Sequence, residues 1–187
     1  MLNYNSAIPE EISIQDLQMK EINPIMKLIV RGKKREFFSA IGKSLNILLP
    51  TKANTSTQNN RLTALWLSYD EWMIFSNERM NENSNDYEIE KLLQNNISKI
   101  NLGAVTDVTD QFVMINLKGN KIYDLFRSGS PFNFNHFQEE KGGVTQTILG
   151  KIDVIIHNQD KNTANLFVRR TFSQHLFSWM KDAASRL

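Results

Sequence analysis

The hydrophobic positions of this chain change period several times, and each change marks an element. Lys27 to Arg31 is a short apolar run closed by Gly32, the pattern of a strand. Phe37, Phe38, Ile41 and Leu45 then recur at helical spacing and predict an amphipathic helix over residues 33–43. Asn46 to Leu49 is a short apolar run, and residues 50–61, rich in Thr, Asn and Gln, read as a loop. Residues 62–67 and 72–75 read as two strands joined by Ser68-Tyr69-Asp70-Glu71, a hairpin. A polar linker over 77–85 leads to a helix over 86–100. Its apolar stripe is Ile89, Leu92, Leu93, Ile97 and Ile100, and Asn85 with Glu88 forms a capping pair at its start.

The same order then recurs. Residues 104–108 and 112–117 are strands, with Val113, Ile115 and Leu117 on one face because strand side chains alternate. Gly119 closes the second of them, as Gly32 closed its counterpart. Ile122, Leu125 and Phe126 mark a helix over about 120–128. A loop over 129–142 follows, then strands at 144–149, 152–156 and 166–168. The last helix carries Phe172, Leu176, Trp179, Met180 and Ala183 on one stripe, and Thr171 followed by Gln174 matches a capping box. Ahead of both runs, Ile12 and Ile14 alternate with polar residues as one short strand between Pro9 and Pro24. The reading is an α+β fold with an internal duplication: an N-terminal arm (1–26), a first subdomain (27–102) and a second (103–187) packed as one body. A half of this size is marginal alone, so the halves are expected to share an interior.

Composition narrows the function classes. The sequence has 187 residues, 41% hydrophobic and 22% charged, the balance of a globular protein. No apolar run reaches the ~18–20 residues of a membrane span, and the first residues lack the basic and apolar segments of a secretory signal. The absence of Cys removes disulfides, thiolate metal sites and a Cys nucleophile, and fits a cytoplasmic setting. The net charge is +2, with interspersed signs rather than the concentrated basic face of a nucleic-acid binder. The one basic cluster is Arg31-Gly32-Lys33-Lys34-Arg35. It sets cations in the first turn of a helix, where the dipole disfavours them; a solvated face, an acidic partner surface or a phosphate would each account for it.

Chemistry-bearing motifs are scarce. His136, His157 and His175 have no metal-ligand spacing with one another or with a carboxylate. There is no G-x-S-x-G elbow, no G-x-G-x-x-G after a strand and no Walker-type loop. Asp70-Glu71 and Asp107 with Asp110 sit in turns between strands, where a carboxylate ordinarily accepts backbone N–H groups; recognition of a ligand amine or a pterin is the functional alternative. Phe132, Phe134 and Phe137 crowd one predicted loop, and Trp66 and Trp72 flank the hairpin. Such rings either cover the chain's own core or meet a partner subunit.

Taken together, the motifs resemble a known family. Trp66-Leu67-Ser68-Tyr69-Asp70-Glu71-Trp72-Met73-Ile74 is similar to the "WLgPDEWLL" segment of the gamma subunit of heterotetrameric sarcosine oxidase. Leu28-Ile29-Val30-Arg31-Gly32 resembles its "nLRG" strand, Asp107-Val108-Thr109 its "DVS/T" strand, and Leu117-Lys118-Gly119 its "vSG" strand end. Gly129-Ser130-Pro131-Phe132-Asn133-Phe134 is similar to its "GCPLDL" loop, with Ser130 for the usual Cys and Asn133 for the usual Asp. Thr145-Gln146-Thr147-Ile148-Leu149 looks like the next strand. Val168-Arg169-Arg170-Thr171-Phe172, with Leu176, Trp179 and Ala183, resembles the terminal helix.

The resemblance implies mostly antiparallel sheets with helices packed on them, as in the folate-binding domain of aminomethyltransferases. It implies a non-catalytic chain in an enzyme that oxidatively demethylates sarcosine to glycine. The one-carbon unit goes to tetrahydrofolate or formaldehyde, and oxygen is the acceptor, giving H2O2. It implies alpha, beta and delta subunits as partners, with FAD, FMN, NAD and tetrahydrofolate belonging to the complex and no cofactor or metal on this chain. No catalytic residue is expected here; the expected subunit contacts are Trp66, Trp72, Phe132, Phe134, Phe137, Arg31 and Lys34. The alternative is a free-standing folate-binding or aminomethyl-transfer protein using Asp107 or Asp70. Neither reading involves nucleic acid or membrane.

Overall fold

A computed structural model describes residues 6–14, 16–22, 25–77 and 87–187. The expected capping pair at Asn85 lies outside them. The chain forms two units, residues 23–109 and residues 1–22 with 110–187.

In the first of these, β3 (Lys27–Arg31) leads into α1 (Arg35–Leu45), then β4 (Ser56–Gln58), β5 (Leu62–Ser68), β6 (Glu71–Ser76), α2 (Tyr87–Leu93) and β7 (Ala104–Asp107). The strands make one antiparallel sheet in the order β4-β5-β6-β3-β7. Alternation decides which side chains meet the helices: Leu28, Val30, Ala64, Trp72 and Ile74 form a core with Phe37, Ile41 and Leu45 of α1 and with Leu93 and Ile97. α2 does not run on to residue 100 as one α-helix. After Leu93 the chain makes a π-helical turn, Gln94–Ser98, with N–H groups of Lys99 and Leu102 donating to the carbonyls of Gln94 and Ile97, five residues back. The wider turn breaks the expected stripe, so that Ile97 is buried while Leu92 and Ile100 are exposed.

The other unit contains β1 (Ile12–Ile14), β2 (Leu17–Glu21), β8 (Phe112–Lys118), α3 (Ile122–Gly129), α4 (Phe134–Phe137), β9 (Val144–Leu149), β10 (Ile152–Asp160), β11 (Thr163–Arg169) and α5 (Arg170–Ala184). Its sheet order is β1-β2-β8-β11-β10-β9. Val113, Ile115 and Leu117 share the expected face, against Ile122, Leu125 and Phe126 of α3 and Leu176, Phe177 and Met180 of α5. Two details differ from expectation. α5 begins at Arg170, so Thr171 is inside the helix and the capping box does not form; the Gln174 amide instead donates to the Ala7 carbonyl at 3.0 Å. Phe172 points to solvent while Phe177 takes its place inside.

The duplication is visible in the sheets. β3, α1, β4, β5, β6 and α2 correspond in order to β8, α3, β9, β10, β11 and α5. β7 lies beside β3 as β2 lies beside β8. The unit boundaries differ from those expected at 26 and 102. β2 precedes β3 in sequence yet pairs with β8, and β7 precedes β8 yet pairs with β3. The opening strand of each repeat is thus exchanged into the other repeat's sheet. The arm is a sheet element because Leu17 and Met19 alternate with polar residues, and Met19, opposite Leu117, is fully buried. The matched glycines answer different demands. A Cβ on Gly32 would sit 2.4 Å from the Phe37 ring, whereas Gly119 has φ 126°, a backbone that side-chain-bearing residues rarely adopt.

Candidate functional site

The acidic hairpin and the basic run come together. β5 and β6 are joined through Tyr69-Asp70, and the Asp70 carbonyl accepts the Gly32 N–H at 3.1 Å, which holds the basic run against the hairpin tip. The Asp70 carboxylate is mostly buried and faces the Arg31 guanidinium at 3.4 Å and the Lys33 ammonium at 3.8 Å. Lys33 lies over the Tyr69 ring, 4.6 Å from its centre, and donates to the Tyr69 hydroxyl at 3.1 Å. That hydrogen bond is the main influence holding the Lys33 ammonium above its ordinary pKa. Asp70 is therefore an ion-pair partner of this chain's own cations. Asp107 accepts the Thr109 N–H at 2.8 Å, the turn-capping role ordinary for Asp.

The expected contact residues separate by burial. Trp72 is 2% exposed, sits against Phe37 and Phe38, and donates its indole N–H to the Pro50 carbonyl at 2.8 Å. Phe134 and Phe137, 0% and 5% exposed, close the aromatic core of their unit with Tyr123 and Phe126. These three are interior residues, a correction to their reading as contacts: the segment taken for a loop contains α4, which turns both rings inward. Phe132 and Trp66 are half-buried at the edges of the two cores, and Arg31 and Lys34 are exposed.

α4 was missed because it is four residues long. Its available signal was Asn133, which caps it by accepting the Asn135 N–H at 3.0 Å. Ser130 accepts the Phe132 N–H at 3.2 Å and lies 3.1 Å from the Thr147 hydroxyl. Both departures from the family pattern thus sit in local hydrogen bonds that shape the loop.

His157 is buried on β10, and burial pushes its pKa down to about 4. Its strand neighbour Asn165 accepts a 2.8 Å hydrogen bond from Asn116. Tyr123 lies in the aromatic core, where burial raises its pKa, so the phenol stays protonated. Among the described residues no group of three or more His, Cys, Asp or Glu side chains could hold a metal ion, and no helix is long and apolar enough to cross a membrane.

Solved structures of similar fold set this architecture in context. One chain of the heterotetrameric sarcosine oxidase from Corynebacterium sp. U-96, solved in complex with pyrrole 2-carboxylate, superposes with a TM-score of 0.81 at 18% identity. The match covers 94% of this chain and 88% of that one. The glycine cleavage system aminomethyltransferase T from Bartonella henselae matches with a TM-score of 0.62 at 14% identity, over 88% of this chain and 45% of that one. No curated protein matches in sequence. The family model for the sarcosine oxidase gamma subunit matches residues 32–186, both repeats included. This chain belongs to the sarcosine oxidase gamma subunit family.

Proposed function

We propose that the chain is the non-catalytic gamma subunit of a heterotetrameric, flavin-dependent sarcosine oxidase, working in the cytoplasm beside alpha, beta and delta subunits. In this reading the partners hold FAD, FMN, NAD and tetrahydrofolate. They oxidise the N-methyl group of sarcosine, giving glycine, H2O2 and either formaldehyde or a folate-bound one-carbon unit. The gamma chain contributes surface rather than reacting groups. The observation that carries the reading is family membership over residues 32–186. The commitment of Asp70 to Arg31 and Lys33, and of Asp107 to a backbone N–H, supports it against the use of either carboxylate for a pterin. Phe132, Trp66, Arg31 and Lys34 remain the proposed contacts from the original set.

Co-expression with the three candidate partner subunits tests this. The chain is expected to co-purify in stoichiometric amount and to elute with the flavin absorbance in size-exclusion chromatography. Elution of the whole gamma pool as a separate peak would sink the proposal.

A further inference from the structure

A groove of about 680 Å³ runs between α1 and the π-helical turn. Arg35, Ala40 and Lys43 lie on the α1 side, and Asn95, Asn96 and Ile100 on the other. The Asn96 side chain donates to the Ser44 hydroxyl at 3.0 Å and ties the two walls together. Three features of the groove and of the α1 N-terminus beside it run against local stability. Ile100 is 58% exposed, placed outward by the two five-residue hydrogen bonds of the π turn. Such turns are rare and recur at functional sites. Lys34 occupies the N-cap of α1 with no side-chain cap hydrogen bond, a position where Ser or Asp would accept a backbone N–H and stabilise the helix. Lys34 and Arg35 are cations at the positive end of the helix dipole, and among the described residues neither has an ion-pair partner. Among the described residues that line the groove, Glu36 is the one acid beside Arg35 and Lys43.

The apolar residue and the excess cations both have to be met by whatever fills the groove. We propose that it is a docking site for an acidic segment of a partner subunit, one that sets an apolar side chain against Ile100 and Ala40 and its carboxylates against Arg35 and Lys43, with Lys34 adding its charge from the N-cap position one residue ahead of Arg35. The inference rests on the gamma-subunit reading and adds to it the surface used and the chemistry of the segment that binds there. Charges at such a rim steer association and fix register, and their contribution weakens with salt.

The test uses the full chain with co-expressed partner subunits. The double variant Lys34→Glu/Arg35→Glu is expected to melt at the wild-type temperature or above, because it reverses an unfavourable helix-dipole interaction. Its affinity for the partners should nevertheless fall about tenfold or more. Wild-type affinity should decline with rising salt more steeply than that of the variant. Ile100→Ala, which alters no charge, should weaken assembly about fivefold with the melting temperature held. Wild-type assembly by both variants would overturn the inference and leave the gamma-subunit reading standing. Failure of the wild-type chain to assemble would overturn both. If the chain alone self-associates and the same variants abolish it, the groove belongs to a second copy and the acidic-partner assignment is wrong.

Discussion

The two repeats share one plan but finish their helical layers differently. In the unit of residues 1–22 and 110–187, α5 runs unbroken for 15 residues and buries Leu176, Phe177, Met180, Ala183 and Ala184. A cluster of Tyr123, Phe126, Phe134 and Phe137 completes that core. In the unit of residues 23–109 the corresponding helix changes to a π turn after seven residues, leaves Ile100 exposed and borders a groove on α1. One layer closes its core with its own side chains, although Phe172 of α5 stays at its surface, and the other leaves Ile100 beside an open groove. After duplication, a fold needs only one extra backbone residue in a turn to move an apolar side chain from the interior to a surface.

The largest test of this contrast is truncation on each side. Phe134 is fully buried, with ring centres of Phe126 and Phe132 at 5.4 Å and 4.9 Å. Phe134→Ala should cost about 3–5 kcal/mol in urea unfolding, because the rigid rings around it cannot collapse into the space. Ile100→Ala should change stability by no more than about 0.5 kcal/mol. A loss above about 2 kcal/mol at Ile100 would make it a core residue and remove the contrast.

Acid should expose a second difference. Asn116, Asn165 and His157 form a buried polar row across β8, β11 and β10. Across β3, β6 and β5, the row of Lys27, Phe75 and Thr63 holds no group that titrates in mild acid. The folded-state pKa of His157, about 4, lies below the ordinary value of 6.5. The unfolded chain therefore takes up this proton first as pH falls. The stability contributed by the neutral ring is fully present above pH 6.5 and is lost between 6.5 and about 4. Wild type should lose about 2–3 kcal/mol more than His157→Gln between pH 7.5 and pH 4.5. Urea midpoints at the two pH values measure this, and equal losses would show that His157 is not the group responsible.

What could be read from the sequence follows from the range of each signal. The strands at Lys27, Leu62, Phe112 and Val144 were legible because alternation and bounding glycines are local, and so were α1, α3 and α5 to within two residues. The exchange of β2 and β7 was not, since pairing Met19 with Leu117 or Val30 with Val105 depends on contacts far along the chain. The π turn was hidden because an apolar stripe through Ile97 and Ile100 fits an α-helix equally well. Of the surface features, the basic run and the hairpin carboxylate were visible separately. Their meeting at Asp70 needed the fold, as did the burial of Trp72, Phe134 and Phe137.

The smallest test compares a glycine in each of the two matched helices, α1 and α3. Gly129 closes α3 in the sealed layer, and a Cβ there would sit 2.2 Å from the Trp179 ring. Because Trp179 also packs against Gly150, it has little room to retreat. Gly129→Ala should cost about 1–3 kcal/mol by overpacking. Gly42 lies inside α1, where the nearest atoms to a Cβ are a methyl of Leu48 at 3.8 Å and the Ile47 carbonyl at 3.9 Å, both ordinary contacts. Leu48 is itself 78% exposed and free to shift. Gly42→Ala should therefore stabilise the protein by about 0.5–1 kcal/mol, the helix-propensity difference, since the unfolded chain loses freedom and nothing in the helix must move. Thermal melts of the two variants should shift in opposite directions. A shared direction would mean that the two helices tolerate added volume at these positions alike.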